Sequence, residues 1–144
     1  MHGLFVQRPF ASSLVHGTKI VETRSYRLPP HLLGQTVYII ETPRRGQRRS
    51  GDRGMIVGTV RFEKCFQYVS REHWLSDQHR HLVLDADPLY GWRHDRPKFG
   101  WVVAYLGNEV LEPSHYEGTG YGRVWVTDCE PSALIPDVRR APRS

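Results

Sequence analysis

"HGTKIVETRSY", residues 16–26, sets the end of an apolar, helix-like stretch against a run that carries a lysine, a glutamate and an arginine. Residues 18–26 alternate and are rich in β-branched side chains, which predicts a strand. On a flat strand the period of two puts Lys19, Val21 and Thr23 on one face and Ile20, Glu22 and Arg24 on the other. Lys19 and Glu22 are therefore expected to point apart unless a twist or bulge near Gly17 and Thr18 intervenes. Three charges on one short strand serve either as an ion-paired brace or as the lining of a pocket. In a pocket, a desolvated lysine can act as base or nucleophile, and a fixed arginine can hold a phosphate or carboxylate. From these residues alone, the brace is the stronger reading.

Upstream, "GLFVQ" (3–7) reads as a strand, and "RPFASSLVHG" (8–17) as a helix with Pro9 in its first turn and Gly17 after its end. Phe10, Leu14 and Val15 share one face of it. Downstream, "RLPPHLLG" is a proline-broken connection and "QTVYIIET" a buried strand. "MIVGTVRFEKCFQY" is a long strand in which Gly58 marks a bulge or a close backbone approach. Ser70 suits the N-cap of a helix over "REHWLSDQHRHLVL", with Trp74 and Leu75 as apolar anchors. A turn-rich loop (85–98) leads to "FGWVVAYLGNEVLEP", a strand pair or bent strand, and "RVWVTDC" is the last strand. Five or six strands with two or more flanking helices, in no strict βαβ alternation, predict an α+β, mainly β fold, a small mixed β-barrel. One domain is expected over residues 1–135, with 136–144 a flexible basic tail.

The chain of 144 residues is long enough to bury a core without staples. No apolar run approaches a bilayer span, and the N-terminus lacks the pattern of a secretory signal. Cys65 and Cys129 are isolated, which suits a reducing compartment, so a cytoplasmic location and no membrane partner are expected. The net charge is +5, and of the 20 basic residues only Lys19, Lys64 and Lys98 are lysines. That arginine bias is compatible with a nucleic-acid partner.

Other constellations are weaker. "PRRGQRRSGDRG" (43–54) reads as a loop; Arg44, Arg45, Arg48, Arg49 and Arg53 could grip a phosphate backbone without reading sequence. Trp101 and Trp125 are expected in the core, whereas Trp92 in "LYGW" and Tyr121 in "GTGYG" lie on loops where a ring could stack on a base or lid the core. His73, His79 and His81 fall in one helical stretch without metal-ligand spacing, so neither metal nor cofactor is expected.

"QRPFASSLVHGTKIVETRSY" resembles the N-terminal signature of the ASCH domain family. Gln7, Pro9, Phe10, Ala11, Gly17, Lys19, Glu22 and Arg24 stand at its positions, with Arg8 inserted. "GMIVGTVRF", "YGWRHDRPKFGWVVAYLGNEVLEP" and "GYGRVWVTD" resemble later segments of the family. The resemblance implies a PUA-like barrel with a cleft floored by the lysine–glutamate–arginine strand. It implies binding of nucleic acid, RNA ahead of DNA, or of a nucleoside, in a basic cleft. Lys19 and Arg24 would face the ligand with Gln7, Arg8, Trp92 and Tyr121 around it. Some small bacterial members hydrolyse the acyl amide of N4-acetylcytidine, and others are described as nucleases. That makes a metal-independent hydrolase with Lys19, Glu22 and Arg24 as catalytic residues the second reading, Glu72 being the nearest counterpart of a further acidic residue. A protein-interaction module, as in transcription coactivators, is the third.

Overall fold

A computed structural model describes residues 2–43, 54–116 and 126–128. Its strands are β1 (His2–Gln7), β2 (Val21–Arg24), β3 (Thr36–Thr42), β4 (Met55–Gln67), β5 (Phe99–Val103), β6 (Glu109–His115) and β7 (Val126–Asp128). The α-helices are α1 (Phe10–Val15), α2 (Arg71–Ser76) and α3 (Gln78–His81), and Pro30–Leu32 form a single 3₁₀ turn. The mainly β expectation holds, with seven strands among the described residues rather than five or six. The arginine-rich loop 44–53, Tyr121, Trp125, Cys129 and the tail lie outside the described residues.

One mixed sheet runs in the order β2-β5-β4-β3-β1-β7, with β6 paired to β4. Among the described strands only β1 and β3 pair in parallel, and the helix-containing connection between them is what a parallel pair requires. β4 is the spine: Met55–Arg61 pair with β3, Met55–Thr59 also pair with β6, and Phe62–Gln67 pair with β5. β3 has both faces covered, which explains its unbroken apolar run. Val37 and Ile39 join the main core with Leu4, Leu14, Phe62 and Trp101, while Tyr38 and Ile40 pack with Ile56 and Tyr116.

The ladders of β4 with β3 and with β6 both slip beside Gly58. A Cβ there would lie 2.4 Å from the Glu109 carbonyl oxygen and 2.7 Å from a Val15 methyl, so both the bulge and the close approach are present. The expected helix after Ser70 is broken at Asp77 into α2 and α3. The Ser70 hydroxyl caps it by accepting from the His73 N–H at 3.0 Å. At the break the Asp77 carboxylate accepts from the buried Tyr68 hydroxyl and from Arg80 at 2.6 Å.

Two expectations are corrected. The strand predicted over 18–26 is confined to Val21–Arg24, so Lys19 precedes it and escapes its alternation. The barrel, too, is not closed: among the described residues the path ends at β2 and at β7, and β7 pairs only His2–Leu4 of β1, which leaves a seam between β2 and the Phe5–Gln7 part of β1. The Arg24 guanidinium spans that seam by donating to the Phe5 carbonyl at 2.8 Å.

A cationic cavity at the open seam

The seam holds a cavity of about 310 Å³ between β1, β2 and the 85–98 loop. Its floor begins at Gly17, whose φ of +84° turns the chain out of α1. The amides of Thr18 and Lys19 then both donate to the Ser13 carbonyl at 3.0 Å. The Lys19 stem is thereby carried under Phe10, with Nζ 4.7 Å from the ring centroid. Its ammonium donates to the His81 carbonyl at the end of α3 and stands 3.7 Å from Glu22 Oε1. Lys19 and Glu22 therefore face one another, against the sequence expectation.

Glu22 and Arg24 share a strand face as predicted. Arg24 Nε donates to Glu22 Oε2 at 2.7 Å, and its terminal nitrogens donate to Tyr26 Oη at 2.9 Å and to the Phe5 carbonyl. Arg24 also lies 5.6 Å from the Trp101 ring. It lines the cavity, yet its guanidinium is committed to protein acceptors on every side. Burial works against its charge, but Glu22 and Tyr26 outweigh it and leave Arg24 holding its proton more tightly than usual.

Burial pushes the Lys19 ammonium down to about 8, with Glu22 opposing and Arg24 reinforcing the shift. Lys98 on the loop side is likewise pushed to about 8, first by burial and then by Lys19. Its ammonium donates to the carbonyls of Tyr90 at 2.8 Å and Gly91 at 3.2 Å, and sits 5.0 Å from the Trp74 ring. His81, behind Lys19, is neutral. The Val83 N–H donates to its Nδ1 at 3.0 Å, so the proton is on Nε2, which donates to the Trp74 carbonyl at 2.8 Å. Burial drives its pKa down to about 4.

A pH dependence follows. Lys19 loses its proton near 8 in the fold and near its ordinary 10.5 in the unfolded chain. Between those values the unfolded chain binds more protons, so stability rises with pH. Lys98 acts in the same sense, while Tyr26, raised above its ordinary 10.0 by burial, opposes it from about pH 10 upward. The urea midpoint of the wild type is expected to climb relative to that of Lys19→Met between pH 8 and pH 10. Two parallel curves would refute the shifted lysine.

Of the residues expected at the ligand, Lys19, Glu22, Arg24 and Gln7 line the cavity. Arg8 does not; it is exposed beside Glu41 at 3.6 Å. Trp92 is half-buried against Trp74, 6.2 Å between ring centroids, and Glu72 is exposed; neither lines the cavity. Sequence reasoning missed Lys98, Arg93, Arg96, Tyr26 and Tyr90, all of which do. Among the described residues, no three His, Cys, Asp or Glu side chains are grouped to hold a metal, and no helix is long and apolar enough to cross a membrane.

No protein-family model and no curated protein matches the sequence. The fold, however, is similar to the crystal structure of ASCH from Zymomonas mobilis, at TM-score 0.69 and 13% identity over 96% of this chain and 93% of that one. Two single-substitution variants of that protein give TM-scores of 0.67 and 0.68 at 14% identity, covering 96% of this chain and 96% and 94% of theirs. The signature read from residues 7–24 and the likeness over nearly the whole chain agree: this protein has the ASCH fold.

Proposed function

We propose that this protein binds nucleic acid, RNA ahead of DNA, by taking one nucleotide into the cavity at the seam. The observation that carries this reading is the composition of the lining. Glu22 is its single carboxylate among the described residues, against Lys19, Arg24, Arg93, Arg96 and Lys98. The rings of Phe10, Tyr26 and Tyr90 supply apolar and stacking surface for a planar base. Phosphate belongs at the Arg96 and Lys98 side, and the base toward the floor. Arg44, Arg45, Arg48, Arg49 and Arg53 would add phosphate contacts along a longer strand.

Fluorescence anisotropy with a single-stranded RNA at two salt concentrations tests it. Binding is expected to weaken steeply with salt, and the double variant Arg96→Ala/Lys98→Ala to lose about tenfold in affinity and flatten the salt slope. Unaltered affinity and slope would remove the cavity from the binding site.

A second reading, hydrolysis of RNA or of a modified nucleoside without metal, is favoured by one observation. Lys19 is buried in the cavity, its pKa lowered to about 8, and faces a carboxylate at 3.7 Å. A lysine so poised can serve as general base near neutral pH. Mass spectrometry of RNA and of N4-acetylcytidine incubated with wild type and Lys19→Ala separates catalysis from binding. Product formation that survives Lys19→Ala would exclude this assignment.

A further inference from the structure

The floor of the cavity carries an uneven set of unsatisfied hydrogen-bonding groups. Lys19 Nζ can only donate; one of its protons goes to the His81 carbonyl, and its 3.7 Å approach to Glu22 Oε1 exceeds a hydrogen bond. It keeps donor capacity. Glu22 can only accept; Oε2 is occupied by Arg24 at 2.7 Å, which leaves Oε1 as an acceptor. Gln7 Oε1, from β1, is a buried acceptor without any hydrogen-bond partner. All three residues line the same cavity. It thus offers a base one donor and two acceptors.

The four bases differ in what they return to such a set. The Watson–Crick edge of guanine presents one acceptor, O6, and two donors, N1–H and the 2-amino group. Adenine presents one of each, and cytosine and uracil present one donor between or beside two acceptors. Resting on the nucleotide reading above, we infer that the cavity selects guanine. Lys19 meets O6, while Glu22 Oε1 and Gln7 Oε1 receive N1–H and the 2-amino group. Any other base leaves at least one buried acceptor unpaired, or sets a carbonyl against one, and such mismatches dominate discrimination in polar sites.

The test uses wild-type protein throughout and alters only the ligand, so folding does not enter. Isothermal titration is run with the 5′-monophosphates of guanosine, inosine, 1-methylguanosine, adenosine, cytidine and uridine. Guanosine monophosphate is expected to bind about tenfold or more tightly than the adenosine, cytidine and uridine nucleotides. Removing the 2-amino group (inosine) or the N1–H (1-methylguanosine) is expected to cost a similar factor each. Equal affinity for all six overturns the selection of guanine and leaves nucleotide binding standing. Failure of every nucleotide to bind at millimolar concentration overturns both, because a single nucleotide is then not what the cavity takes.

Discussion

Glu22→Ala is expected to lower unfolding stability by about 3–5 kcal/mol, because it strands two cations inside the protein. Lys19 is 1% exposed and Arg24 is partly buried; the Glu22 carboxylate is the counter-charge between them, 3.7 Å from one and 2.7 Å from the other. Lys19 can shed its proton near 8, but Arg24 cannot, so the cost persists across the accessible pH range. Glu22→Gln keeps the shape and an acceptor for Arg24 Nε and is expected to lose distinctly less. Urea unfolding followed by tryptophan fluorescence measures both. A loss under about 1 kcal/mol for the alanine variant would mean that water reaches the pair, and the account of the floor would fall with it.

Trp101→Ala is expected to cost about 3–5 kcal/mol, the range for emptying an aromatic side chain from a core. Trp101 is 0% exposed and meets the rings of Phe62 and Tyr26 edge-on, at centroid distances of 5.5 and 5.7 Å. Its indole N–H donates to the Tyr26 carbonyl at 3.2 Å, and its backbone stands opposite Glu22 in the β2–β5 ladder. The vacancy would open beneath Tyr26 and Arg24, so nucleotide affinity is expected to fall together with the denaturation midpoint. Trp101→Phe restores most of the volume and is expected to recover both in part. A variant that loses stability while binding unchanged would uncouple the core from the cavity.

How much of this was legible depended on the range of the interaction. Features whose signature is carried by a few adjacent residues were read correctly: the Ser70 cap, the tight passage at Gly58, the burial of β3. The floor was half legible. Glu22 and Arg24 were placed on one face because alternation within a strand is local. Lys19 was set on the wrong side because the contacts that end β2 at Val21 come from elsewhere. The Ile20 N–H donates to the Arg80 carbonyl, and the Ile20 carbonyl accepts from Val103, so residues 19 and 20 are fixed by α3 and β5. Lys98 was invisible for the same reason. In "RPKFG" it is an ordinary loop lysine, and only the folding of its loop against Tyr90 and Gly91 brings it to the cavity. The open seam was equally hidden, since no local pattern says which strand edge a guanidinium will bridge.

The pairing of β2 with β5 also sets an order for events on the ribosome. Val21 to Arg24 find backbone partners only in Phe99 to Val102, and among the described strands they pair with no other. By then β1, α1, β3 and β4, which pair among themselves, have all been made. A nascent chain therefore has no strand partner for Val21–Arg24 until Phe99–Val102 have been made. Closing so long a loop adds little free-energy cost but delays the contact. Lys19, Glu22 and Arg24 are thus made well before the strand that houses them.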